Sequence, residues 1–274
     1  MEKLLVLDGN SIINRAFYAI KNLTTRDGLW TNGIYGFLNI FLKTMEEEKP
    51  QYVVVAFDVK EPTFRHREYD KYKAQRKGMP PELAEQMPVL KELLSEMNIA
   101  QIEKPGYEAD DLIGTVSEMC TKAGIQCCIL TGDRDDIQLI NDNVNVLLTT
   151  TSYGFSETVR YDTDAVKEKY GVMPKMMIEV KGLMGDSSDN IPGVAGVGEK
   201  TALSLIAKYK TIESVYENLS DMKGALLTKL ENGKDSAFLS RHLATIVTDV
   251  PIDNKIEEFA VKPYKEGLAD ALEK

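Results

Sequence analysis

Three short apolar runs, each delivering an aspartate at its end, constrain this chain more than any other feature. Lys3-Leu4-Leu5-Val6-Leu7 leads into Asp8, and Tyr52-Val53-Val54-Val55-Ala56-Phe57 leads into Asp58. Gln126-Cys127-Cys128-Ile129-Leu130 passes through Thr131-Gly132 into Asp133. Such short aliphatic, β-branched runs read as strands buried on both faces. Helical patterns lie between them, through about Lys21 and over roughly 31–48, 81–97 and 107–123. Strands alternating with helices predict an α/β fold with a mainly parallel sheet. Such sheets bind ligands outside the carboxyl ends of their strands, so Asp8, Asp58 and Asp133 are expected to converge on one edge.

Beyond about residue 170 the β-branched runs thin out, and helical segments dominate, with glycine-rich connections near 182–198 and 232–233. This predicts two domains, an α/β body over 1–170 and a helical domain over 171–274. Segment 60–80 is charged and lacks clean periodicity apart from a short helix at 67–77, so it reads as a mobile excursion above the sheet edge. The final residues, Leu272-Glu273-Lys274, look like the inside of a helix, which suits a fragment of a longer polypeptide or a free-standing protein. The composition is 43% hydrophobic and 28% charged, and no apolar run nears the roughly 20 residues of a membrane span. The start of the chain lacks the pattern of a signal peptide. Cys120, Cys127 and Cys128 lack a zinc-type spacing and read as buried free thiols in a reducing cytoplasm.

The acids carry the chemical signal. Glu108, Asp110 and Asp111 open a helix, Asp135 and Asp136 follow Asp133, and Asp186 and Asp189 form a further pair. Singly, each cluster reads as a helix cap or a solvated face. Jointly, on one sheet edge, they repel one another unless a cation lies among them. The two histidines, His66 and His242, stand far apart, so the donors are all oxygens, which suits Mg²⁺ or Mn²⁺ and disfavours zinc. So many carboxylates exceed the needs of one magnesium, and two ions is the economical reading. Paired metals suit an in-line phosphoryl displacement.

The net charge of −10 argues against a nucleic-acid partner, but residues 60–77 hold seven basic side chains against three acidic ones. Phe64, Tyr69 and Tyr72 alternate with those bases, a pattern that holds single strands by stacking and charge; a solvated charged helix is the plainer alternative. Tyr18 reads as a core aromatic and His66 as a surface residue. Two phosphate motifs are weak: Gly196 to Thr201 departs from a Walker loop at Glu199, and Asp8-Gly9-Asn10 lacks the second aspartate of the aspartyl-phosphate phosphatases.

Leu7-Asp8-Gly9-Asn10-Ser11, Phe57-Asp58, Phe64-Arg65, Tyr72-Lys73, Gly106-Tyr107-Glu108-Ala109-Asp110-Asp111, Thr131-Gly132-Asp133-Arg134-Asp135 and Gly185-Asp186-Ser187-Ser188-Asp189-Asn190-Ile191-Pro192-Gly193 occur in that order. Together they resemble the 5′ nuclease (5′-3′ exonuclease) domains of bacterial DNA polymerase I, relatives of the flap endonucleases with a PIN-like body. The resemblance runs over about residues 3–250. It implies a two-metal nuclease with a helix–hairpin–helix at 182–208, acting as a monomer on branched, nicked or 5′-flap DNA and on RNA primers paired to DNA. Polymerase domains in the same full-length chain are a further implied partner.

Carried over residue by residue, Asp8, Asp58, Glu108 and Asp110 would hold the first ion. Asp111, Asp133, Asp135, Asp186 and Asp189 would complete the second and outer shells. Asp136 stands where an apolar residue is expected and reads as a solvated neighbour. Arg15, Lys73 and Arg76 fall to the scissile phosphate and the 5′ strand, and Arg65 and Tyr72 to DNA contacts. Gly193, Gly196, Gly198, Lys200 and Thr201 form the hairpin, whose helix start would aim free N–H groups at a phosphate, with K⁺ as its implied ion. A turn between helices with no ligand is the plainer reading. A catalytically inactive structure-specific DNA-binding module and a PIN-type ribonuclease stay open as alternatives.

Overall fold

The computed structural model describes residues 2–152 and 155–268, so the helix read at the end of the chain lies outside the described residues. The body is a six-stranded sheet in the order β3-β2-β1-β4-β5-β6. Its strands are β1 (Lys3–Asp8), β2 (Tyr52–Ala56), β3 (Ala100–Ile102), β4 (Gln126–Thr131), β5 (Val144–Ser152) and β6 (Phe155–Tyr161). The first five run parallel and β6 returns antiparallel to β5. Helices α1 (Gly9–Ala19), α2 (Asn32–Glu48), α3 (Phe64–Glu68), α4 (Pro81–Ala84), α5 (Gln86–Glu96) and α6 (Ala109–Ala123) connect the parallel strands.

Side chains alternate across a strand, so a wholly apolar strand feeds two cores. Leu4, Val6, Val54, Ala56 and Ile129 face α6 and the segment ending in Phe259. Leu5, Leu7, Val53, Val55 and Leu130 face α1, α2 and α5. Cys120, Cys127 and Cys128 are free and buried in these layers. The two cores clamp the strands in a register that puts the ends of β1, β2 and β4 level at one edge.

Helix α7 (Thr163–Tyr170) packs Val166 into the first of these layers, and the rest is helical: α8 (Met177–Met184), α9 (Glu199–Tyr209), α10 (Ile212–Glu217) and α11 (Gly224–Ala244), with a core of its own that includes Val180, Leu183, Ile206 and Leu230. Two expectations need correction. Residues 232–233 are not a connection: Gly233 lies within α11, where a Cβ would come within 2.7 Å of Val194, so close packing explains the glycine. The short helix expected at 67–77 sits earlier, as α3, because Thr63 and His66 form a capping box at its start and turns follow over 70–75. Among the described residues no helix is long and apolar enough to cross a membrane.

Gly193 ties the hairpin to its own fold. Its φ is +60°, and a Cβ there would collide with the backbone of Met184 and Gly185. Gly193→Ala is therefore expected to lose about 2 kcal/mol or more of unfolding free energy. Chemical denaturation checks this, and a loss below about 0.5 kcal/mol would contradict the strain.

Candidate metal centre and nucleic-acid interface

The strand ends place the acids, and neighbouring helix starts fix their side chains. Asp8 ends β1 and caps α1, accepting from Ser11 N at 2.9 Å. Asp58, just past β2, accepts from Ala109 N at 2.8 Å in the first turn of α6. Glu108 caps that helix and Asp110 sits in its first turn. Asp133, just past β4, accepts from Asp135 N at 3.0 Å, which folds the short helical turn Asp135–Leu139 back toward the edge. The expected convergence of Asp8, Asp58 and Asp133 is observed: all three line one cleft of about 850 Å³ with Arg15, Lys73, Arg76, Glu108 and Asp110. A second cleft of about 700 Å³ shares Arg15 and Asp133 and adds Asp135, Lys181 and Asp186.

Some of the acids are compensated. Glu108 accepts from Lys73 Nζ at 2.8 Å, Tyr72 Oη at 2.9 Å and Arg65 Nη1 at 3.3 Å. Asp189 pairs with Arg76. Lys181 lies between Asp135 and Asp186, at 2.6 Å from Asp186 Oδ2. Burial alone would raise Asp186, but Lys181 and Ser188 bring its pKa down to about 2.

Others are not. Oxygens of Asp8, Asp110 and Asp136 lie within 4.8 Å of one another. Burial, then the charges of Asp58 and Asp133, push Asp8 up to about 7 against the Ser11 amide. Asp110 is raised by burial and by Asp136, and Asp136 by burial and by Asp8. Asp135 reaches about 7 through burial and Asp133, in spite of Lys181. Close oxygen-only donors, buried or half-buried, that resist ionisation fit a hard divalent cation.

A family model for the 5′-3′ exonuclease N-terminal, resolvase-like domain matches residues 3–171, and one for the 5′-3′ exonuclease C-terminal SAM fold matches residues 172–267. The chain belongs to the 5′-3′ exonuclease family. DNA polymerase I of Caldicellulosiruptor bescii is 47% identical over 98% of the chain, and that of Bacillus subtilis 46% over 92%. The chain spans 32% and 28% of the length of these two relatives. T5 D15 protein co-crystallised with metal ions has the same fold, with a TM-score of 0.72 at 20% identity over 89% of each chain. The catalytic core of Rad2 in complex with DNA substrate has a TM-score of 0.62 at 18% identity, covering 99% of this chain and 87% of that one.

Within this exonuclease fold several residues differ from their sequence reading. Asp136 is not solvated: it is fully buried, because the turn after β4 carries it inward beside Ile137. Tyr18 is not a core aromatic: it is 68% exposed in the first cleft, since α1 turns Ile12, Ile13 and Ala16 to the core instead. Tyr72 is 3% exposed with its hydroxyl on Glu108 and Asp189, so its ring is closed to a nucleotide. Arg65 is buried rather than DNA-facing. It makes two 2.8 Å bonds to Asp111 and donates to the carbonyls of Leu243 and Thr245. Asp111 also accepts from Glu108 N and Val247 N, which leaves it saturated as a structural acid rather than a free metal ligand. His66 is half-buried, its Nδ1 2.9 Å from the Thr63 hydroxyl.

Nor does segment 60–80 stand clear of the site. Lys73 N donates to Asp189 O at 2.9 Å, Asn190 Nδ2 to Lys71 O at 2.7 Å and Gln75 Nε2 to Ser187 O at 2.8 Å, which pins it to the 186–190 loop. Lys181 was missed in sequence; its place five residues before Asp186, on the last turn of α8, was the available signal. In the hairpin, Gly193 is buried by its own backbone contacts, whereas Gly196, Gly198 and Lys200 are exposed and Thr201 is half-buried. Gly198 caps α9 without a side-chain bond, so the first N–H groups of that helix lack helical partners.

Arg65→Met strands Asp111 as a buried charge and is expected to cost about 3–5 kcal/mol. The exposed Arg67→Met should change stability by less than about 0.5 kcal/mol, and equal losses in denaturation would contradict a buried Arg65–Asp111 hub. For Asp8 and Asp135 the folded pKa lies above the unfolded value near 3.8. Their contribution is thus complete below about pH 4 and is lost as pH rises through about 7. In EDTA the thermal midpoint should fall across that window, and saturating Mg²⁺ should restore it. A flat midpoint in EDTA would contradict the raised Asp8 and Asp135.

Proposed function

We propose that the chain is a structure-specific 5′ nuclease, both 5′-3′ exonuclease and 5′-flap endonuclease, which hydrolyses DNA phosphodiesters with two divalent ions. The observation that carries this reading is the close approach of Asp8, Asp110 and Asp136, the first two of which open on a cleft bordered by Arg15, Lys73 and Arg76. Asp8, Asp58, Glu108 and Asp110 would hold one ion, and Asp133, Asp135, Asp186 and Asp189 the other. Mg²⁺ or Mn²⁺ bound there supplies activation of a water and neutralisation of the charge that builds on the phosphate oxygens. The chain's own cations do the positioning. The Arg15 side chain lines both clefts and is held by the Gly132 carbonyl. A phosphate between it and Lys73 and Arg76 meets guanidinium forks and an ammonium, donors suited to phosphate oxygens. No side chain is required as a nucleophile.

On the same proposal the body, 1–170, performs the cut and the helical part, 171–274, holds the duplex. Gly196, Gly198, Lys200, Thr201 and the open start of α9 face one phosphate strand there. The K⁺ ion of the hairpin is carried over from the sequence resemblance alone. The substrates are branched, nicked or 5′-flap DNA, with RNA primers paired to DNA, in replication and repair. The relatives' greater length supports polymerase domains in the same full-length chain. A monomer in the cytoplasm completes the reading.

The test uses a 5′-flap DNA with Mg²⁺ or EDTA. Asp110→Ala is expected to lower cleavage by at least about a hundredfold while flap affinity stays within a few fold. Undiminished cutting by this variant in Mg²⁺ would overturn the assignment.

A further inference from the structure

Asp136 is the acid that the rest of the fold does least to explain. It is 0% exposed, and neither carboxylate oxygen has a hydrogen-bond partner among the described residues. The other fully buried aspartate shows what a structural acid looks like in this chain. Asp111 receives two bonds from Arg65, one from Glu108 N and one from Val247 N. Asp136 receives none of these. The Thr131 hydroxyl lies nearby, but it has one proton, and Asp8 Oδ2 is 3.5 Å from the same oxygen.

Burying a carboxylate without donors is costly, and an apolar residue would fill the same volume at no electrostatic cost. The side chain is nevertheless directed at the acids rather than into the apolar layer that takes its neighbour Ile137. One of its oxygens lies within 4.8 Å of oxygens of both Asp8 and Asp110. Three carboxylates from three elements, β1, α6 and the turn after β4, thus face one point.

We propose that Asp136 is a further cation-binding residue, facing the same divalent ion as Asp8 and Asp110. This rests on the reading of the acidic edge as a metal centre and adds a carboxylate to it. A third negative charge at the position raises affinity for hard cations, because ligand charge count tunes such sites. The rival role is structural, with a protonated Asp136 donating a hydrogen bond to Asp8 or Asp110.

Asparagine separates the two roles, since it keeps the shape and a donor but cannot carry the charge. Titration of the full chain with Mn²⁺, followed by calorimetry, compares wild type with Asp136→Asn and with the exposed Asp142→Asn. Asp136→Asn should bind Mn²⁺ at least about tenfold more weakly, and its thermal midpoint in EDTA should exceed that of wild type. Asp142→Asn should match wild type in both. Should Asp136→Asn fail to give a cooperative thermal transition, Asp136→Ala replaces it with the same expected loss of affinity. Mn²⁺ affinity equal to wild type in the folded variant overturns the role of Asp136 and leaves the metal centre standing. Absence of Mn²⁺ binding by wild type itself overturns both.

Discussion

Crowded negative charge at the carboxyl edge of the sheet is the constraint to which the surrounding structure answers. A parallel sheet with apolar layers on both faces has few places for a carboxylate except past the strand ends, and there the acids meet one another. The fold compensates them in two ways. Helix starts take Asp8 and Asp58 through amide donors. Buried cations take Asp111, Glu108 and Asp186. Asp8, Asp110 and Asp136 still face one another, and Lys73 offsets only part of the repulsion because Glu108 already holds it. Acids that already hold a cation build the fold, whereas those without one mark where an ion would relieve the repulsion.

The same interactions couple the cleft to the helical part. Arg65 and Asp111 join α3, the start of α6 and the backbone after α11 in one buried knot. Tyr72 packs with Ile191, Leu243 and Ala244, and its hydroxyl reaches Glu108. Lys73 follows with a positive φ of 52°, unusual for a residue with a side chain, while its amide is tied to Asp189. The ammonium is thereby directed at Glu108 rather than at solvent. A segment that looked loose by composition is thus fixed at its base by burial and at its tip by backbone bonds.

What could be read from sequence was whatever local pattern determines. The apolar runs of β1, β2 and β4 imposed both the strands and the edge on which Asp8, Asp58 and Asp133 meet. The three-residue β3 was too short to give a period, and β5 and β6 went unassigned. Arg65, Tyr72 and Asp136 were misread because their burial depends on elements far away in the chain. Arg65 is buried by residues 243–245, more than 170 positions on. A basic residue in a charged stretch looks exposed until its partner is known. Gly233 misled for the opposite reason, since a glycine that admits Val194 has the same letter as one that makes a turn.

The charge balance bears on how an acidic chain could hold DNA. With a net charge of −10, the long-range field repels a polyanion, so attraction has to be local. In the first cleft, Lys73 and Arg76 are already engaged by Glu108 and Asp189. Without ions that cleft therefore offers a phosphate little net positive charge. On the proposed reading each divalent ion changes the local balance by two charges, which frees the cations from their acids to meet the phosphate. The start of α9 borders the second cleft, where Gly198 and Glu199 stand with Asp133, Asp135 and Asp186, so a duplex held there would lie beside acids whose charge the ions also offset.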